Sequence, residues 1–86
     1  MPEYRITLAK TAEKEIARLQ EKIKKRVILA IDLLAQNPYR PGSKKLKGSL
    51  NGYRFRVGEY RILYEILSNE HRVDIAHIRH QREAYD

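Results

Sequence analysis

Tyr4, Ile6 and Leu8 alternate with Arg5 and Thr7, which predicts a short half-buried strand over residues 3–8. The period then changes. Ala12, Ile16 and Leu19 fall at i, i+4 and i+7 while Glu13, Lys14, Glu15 and Arg18 turn elsewhere, the pattern of an amphipathic helix. A second helix carries Ile23, Val27, Ala30 and Leu34, with Ile28 and Ile31 widening its stripe enough to bury against both the first helix and a sheet. The segment QNPYRPG (36–42) ends it, because Asn37-Pro38 disfavours continued helix and Pro41-Gly42 makes a turn. The charges along both helices read as solvated faces.

From Tyr53 onward the period is two. Strands are expected at 53–57 and 60–67, joined by a tight link at Gly58-Glu59, and a third at 72–79 follows the polar stretch SNEH. The order β-α-α-β-β-β, with short links between the later strands, argues for an α+β domain: a helical hairpin packed on one face of a mostly antiparallel sheet whose last three strands form a meander. With helices on one side only, the other face is open. If Phe55 and Val57 point to the helices, Arg54 and Arg56 point away from them. Neither an internal repeat nor a dividing linker interrupts the chain, so residues 1–86 read as one domain.

Composition adds a direction. The net charge of +7, from 18 basic against 11 acidic residues, favours a polyanionic partner. No apolar run reaches the ~20 residues that span a bilayer, and no apolar segment follows a basic start, so the expected location is cytoplasmic with no membrane partner. The absence of cysteine removes a disulfide scaffold and a thiolate zinc site. His71, His77 and His80 lack the neighbouring carboxylates that would make a convincing metal set, so neither metal nor cofactor is expected.

Three basic clusters stand near strand ends: Lys44, Lys45 and Lys47 in KKLKG (44–48); Arg54, Arg56 and Arg61 on the hairpin; and Arg79, His80, Arg82 and Tyr85 in IRHQREAYD (78–86). Arginine's planar fork can pair two phosphate oxygens at once and stays charged throughout the physiological range. Each cation has a bland alternative: a solvated loop charge for the lysines, an ion pair with Glu65 or Asp74 for Arg61, a surface position for His80. Their convergence would make a phosphate site.

LKGSLNGYRFRVGEYRILYEI (46–66), followed by VDIAHIRHQREAY (73–85), resembles the signature of the RelE/ParE superfamily of small toxins, which are encoded beside a short antitoxin. The resemblance covers nearly the whole chain and implies that family's strand, helical hairpin and sheet order. It also implies one of two activities: mRNA cleavage in the ribosomal A site for RelE-like members, or inhibition of DNA gyrase for ParE-like members. A basic nucleic-acid-binding module without catalysis is a third reading. The family pattern assigns Arg54 and Arg56 to catalytic strand positions, Arg61 to the central phosphate-binding arginine and Tyr85 to the C-terminal tyrosine. It implies a metal-independent endoribonuclease that leaves 2′,3′-cyclic phosphate and 5′-hydroxyl ends. His80, Arg82 and Tyr85 join the three strand arginines as catalytic candidates, and Lys44, Lys45, Lys47 and Arg79 are the RNA-binding candidates. One departure stands out: Gln81 occupies the place of a family arginine, and His80 beside it is a candidate general acid. The implied partners are a short, acidic, helical antitoxin, ribosome-bound mRNA, and operator DNA reached through the antitoxin.

Overall fold

The computed structural model describes residues 3–82. The elements run β1 (Arg5–Leu8), α1 (Lys10–Ala17), α2 (Glu21–Gln36), β2 (Ser43–Lys45), β3 (Gly52–Val57), β4 (Tyr60–Leu67), a 3-10 turn (Ser68–Glu70) and β5 (Arg72–His80). The strands form one five-stranded sheet in the order β1-β5-β4-β3-β2. The β3–β4–β5 meander is antiparallel as expected, and β1 pairs in parallel with the first half of β5. Two features go beyond the sequence expectation. Lys44 and Lys45 belong to a short edge strand, β2, that pairs antiparallel with β3. The pairing of β4 with β5 also shifts by one residue beside Leu63 and Tyr64, so that Leu63 faces His77 while Tyr64 faces Ile75.

That shift leaves Ala76 as an extra residue in β5, a β-bulge, and it reverses which face each later side chain takes. Val73 and Ile75 point into the core before the bulge, and Ile78 does so after it. The core lies between the helices and this face of the sheet. Val27, Ala30, Ile31 and Leu34 of α2 and Ala12 of α1 close over Val57, Ile62, Tyr64, Ile66, Val73, Ile75 and Ile78. The stripe of α2 is narrower than its sequence suggests. Ile28 is 46% exposed, and Leu29 and Leu33 also face outward, because Val27, Ala30, Ile31 and Leu34 alone complete the i, i+3, i+4, i+7 seam.

The loop after α2 is fastened to the sheet by polar contacts. Asn37 Oδ1 accepts the Tyr39 N–H at 3.1 Å, the Tyr39 hydroxyl meets Ser68 Oγ at 2.7 Å, and Ser43 Oγ donates to the Arg40 carbonyl at 2.8 Å. The buried Tyr64 hydroxyl donates to the carbonyl of Pro38, itself buried, at 2.8 Å. Burial pushes the Tyr64 phenol up to about 12, opposed by a hydrogen bond with Ser43 and aided by the nearby Tyr53 phenol. Removing the hydroxyl in Tyr64→Phe strands the Pro38 carbonyl and should cost about 1–3 kcal/mol in urea unfolding. In the parent protein the raised value favours the protonated fold. Tyr64 should therefore contribute its full stability below pH ~10 and lose about 2–3 kcal/mol as pH rises to ~12. In Tyr64→Phe this alkaline step should disappear.

Candidate functional site: a cationic cleft on the open sheet face

Directly paired residues of neighbouring strands project from the same face. The register pairs Lys44 with Arg54, Arg54 with Leu63, and Leu63 with His77. It also pairs Arg56 with Arg61, and Arg61 with Arg79. Two rows of cationic and imidazole side chains thus cross the face that the helices leave open. At their β2–β4 end is a cleft of about 120 Å³ lined by Gly42, Lys44, Arg54, Arg56 and Arg61.

The backbone prepares this cleft at two glycines. Gly58 turns the β3–β4 hairpin with φ +59°, which lets Val57 pair with Tyr60 and sets Arg56 against Arg61. Arg56 Nε donates to the Gly58 carbonyl at 2.9 Å, fixing its guanidinium near the turn. Gly42 has φ +101°, and a Cβ there would come 3.1 Å from the Phe55 ring. It brings the chain from the proline turn into β2 with Lys44 aimed at Arg54.

The Asp74 carboxylate on this face is committed elsewhere. Asp74 takes Arg72 in a two-pronged contact, Nε to Oδ1 at 2.9 Å and Nη2 to Oδ2 at 3.3 Å, and accepts the Thr7 hydroxyl as well. Glu70 holds the remaining Arg72 nitrogen at 2.9 Å. Asp74 is thereby engaged away from Arg61, and among the described residues that line the cleft none is a carboxylate. Guanidinium and ammonium groups converging on one concavity can hold a phosphate group through charge-assisted hydrogen bonds.

The remaining candidates distribute differently. Arg79 shares the open face but lies on β5, beyond the cleft. His80 does not join the arginines. It pairs with Tyr60 on the helix side, with ring centroids 5.2 Å apart and edge-on, and its Nε2 stands 3.8 Å from Glu59. The Ala76 bulge is the reason: uninterrupted alternation from Asp74 would have carried His80 to the open face. Lys45 pairs with Tyr53, and Lys47 is exposed in the turn after β2, so neither lines the cleft. Arg82 is exposed, and its N–H donates to His80 Nδ1 at 3.3 Å; Gln81 donates its N–H to the Glu59 carbonyl at 2.7 Å. Tyr85 lies outside the described residues. Among the described residues no cluster of His, Asp or Glu is arranged to hold a metal ion, and no helix is long and apolar enough to cross a membrane.

Comparison with known proteins assigns the fold a family. The family model for the ParE toxin of the type II toxin–antitoxin system parDE matches residues 6–85. The chain is 36% identical over 84 residues to the toxin RelE of Mycobacterium tuberculosis, covering 95% of this chain and 86% of the relative. The chain belongs to the RelE/ParE superfamily of type II toxins. RelE3 of Methanocaldococcus jannaschii is 33% identical over 86 residues, covering 95% and 96% of the two chains. Among solved structures, the toxin–antitoxin complex RelBE2 of M. tuberculosis superimposes with a TM-score of 0.80 at 29% identity, covering 93% of this chain and 99% of the other. The match makes the protein a RelE-like toxin with two helices on a five-stranded sheet.

A residue that sequence reasoning left as solvated proves otherwise. Glu15 of α1 turns to the edge of β5 and accepts the Ile78 N–H at 2.7 Å. In sequence it is indistinguishable from exposed Glu13, since both lie on a polar helix face. Only the end of β1 at Leu8, which uncovers the edge of β5 to α1, gives Glu15 its partner.

Gly42 supplies a direct check on how the cleft is built. Gly42→Ala combines a positive φ with a Cβ against Phe55, and should cost about 1–3 kcal/mol in thermal or urea unfolding. Gly48→Ala also has positive φ but no atom within 4 Å of the added Cβ, and should cost less. Equal losses would mean that the Phe55 contact contributes nothing.

Proposed function

We propose that this RelE-like toxin is a metal-independent endoribonuclease that cleaves mRNA on the ribosome and so stops translation. The observation that carries the reading is the cleft itself: Lys44, Arg54, Arg56 and Arg61 converge around one concavity. In this scheme the RNA's 2′-hydroxyl attacks the neighbouring phosphorus, giving a 2′,3′-cyclic phosphate and a 5′-hydroxyl. Arg61 holds the scissile phosphate and Arg56, its cross-strand partner, shares the charge that gathers on the equatorial oxygens. Fixed guanidinium groups stabilise that charge without reorganising. Arg54 and Lys44 take the flanking backbone, and Arg82 and Tyr85 remain candidates for the end of the chain. His80 sits on the helix side with Tyr60, so this scheme gives it no role in proton transfer.

The reading includes a protein partner and a place of action. A relative is known in a toxin–antitoxin complex, and here α2 turns Ile28, Leu29 and Leu33 outward on a protein of charge +7. A short antitoxin with an apolar helix face and acidic residues complements both features. The cytoplasm, where mRNA and antitoxin meet, is the proposed location.

Gyrase inhibition is the second reading, and the ParE description of the matching family model favours it. Mapping mRNA 5′ ends after expression, beside a gyrase supercoiling assay, separates the two. Discrete cuts within translated frames with supercoiling intact are the expected result; lost supercoiling with intact mRNA would reverse the choice. Arg61→Ala should slow cleavage by about a hundredfold to a thousandfold with an unchanged circular dichroism spectrum. Arg56→Ala should be nearly as severe, and Lys44→Ala mild. A folded Arg61→Ala protein of full toxicity would remove Arg61 from the site.

A further inference from the structure

The bulge at Ala76 brings one imidazole to the open face, and it is His77 rather than His80. His77 stands directly opposite Leu63 and diagonal to Arg61, within the reach that long side chains have across a sheet. Among the described residues, its contacts engage one ring nitrogen only. Nδ1 lies 3.3 Å from Arg79 Nη2 and 3.7 Å from Glu15 Oε1. Arg79 is held in turn, with Nε 3.5 Å from Glu15 Oε2 and shielded from solvent, while Glu15 is anchored by the Ile78 N–H at 2.7 Å. Among the described residues, the charged groups around His77 are Glu15 from α1, Arg79 on its own strand and Arg61 on β4.

These neighbours give Nδ1 a partner in both protonation states. Arg79 can only donate, so a neutral ring accepts at Nδ1 and carries its proton on Nε2. A protonated ring turns its Nδ1–H to the Glu15 carboxylate and still bears a proton on Nε2. Either way Nε2–H is a donor that the named protein contacts do not use.

We propose that His77 is the general acid of the RNA-cleaving face, with Glu15 and Arg79 as the positioning residues that fix its ring. The inference rests on the endoribonuclease reading and deepens it. As the O2′–P bond forms, the 2′-hydroxyl proton passes to water; as the P–O5′ bond breaks, O5′ takes the Nε2 proton of the imidazolium. The ring is left as the transient Nδ1–H tautomer, donating to Glu15, until Nε2 regains a proton from water. A guanidinium cannot substitute, since it holds its proton too tightly to give it up.

The test uses a leaving group that needs no acid. An mRNA is made with a single sulfur in place of the bridging 5′-oxygen at a cut site mapped with the parent protein, beside its all-oxygen counterpart. His77→Gln should slow cleavage of the oxygen substrate by about a hundredfold or more and cut the sulfur substrate at close to the parent rate. Glu15→Gln, which keeps an oxygen for the Ile78 N–H but loses the charge, should show a smaller loss that sulfur also restores. His80→Gln should cut both substrates at the parent rate. Equal losses on both substrates would reduce His77 to a structural role, and an unchanged rate on the oxygen substrate would remove it from the site; either result overturns the inference while leaving the endoribonuclease reading intact. A parent protein that cuts neither RNA would overturn that reading and the inference with it.

Discussion

One extra residue in β5 decides which side chains meet on each side of the sheet. Val73 and Ile75 reach the core before Ala76, and without the bulge His77 and Arg79 would follow them there while Ile78 emerged into water. Burying an isoleucine side chain is worth about 1.5–3 kcal/mol, whereas burying an unpaired cation costs considerably more. The core therefore selects the shifted register, and the arrangement of the open face follows from it. Arg79 joins the row of Arg56 and Arg61, and His80 retires behind Tyr60. Glu15 completes the arrangement by satisfying an N–H of β5 where β1 has ended.

The open face is sorted by charge along the strands. Arg72, Asp74, Thr7 and Glu70 form a compensated network at one end, while Lys44, Arg54, Arg56 and Arg61 crowd the other. Like charges directly across a strand pair, such as Arg56 and Arg61, oppose folding. The opposing term comes from the far side of the same strands, where Ile62, Tyr64 and Ile75 pack fully buried under Leu34 and Val27. A phosphate group held in the cleft, as the proposed function requires, would lower that repulsion.

The sequence conveyed the hairpin and the helices because their periods are clean. Tyr53, Phe55 and Val57 alternate with Arg54 and Arg56, and Gly58-Glu59 allows only a tight return. From that alternation the face of the arginines was legible. The edge strand β2 was not, since Ser43–Lys45 is too short to display a period and its lysines resemble loop charges. The bulge left a trace in the spacing of Val73, Ile75 and Ile78, where a step of two becomes a step of three. Strict alternation missed it, and with it the exchange of His80 for His77. Glu15 left no trace at all, because its hydrogen-bond partner depends on where β1 stops rather than on any neighbour in the chain.

The parallel pairing of β1 with β5 has a kinetic consequence. Thr7 must find Asp74 across 67 positions, whereas β3 meets β4 through a two-residue turn. Loop-closure entropy makes the hairpin an early event and the joining of β1 to β5 a late one. During synthesis β1 is made before every other element of the fold, and it waits unpaired until β5 exists. The cleft lies between β2, β3 and β4, but the sheet that stiffens it closes only when β5 arrives. A RelE-like toxin built this way gains its rigid cationic face only after β5 has been made.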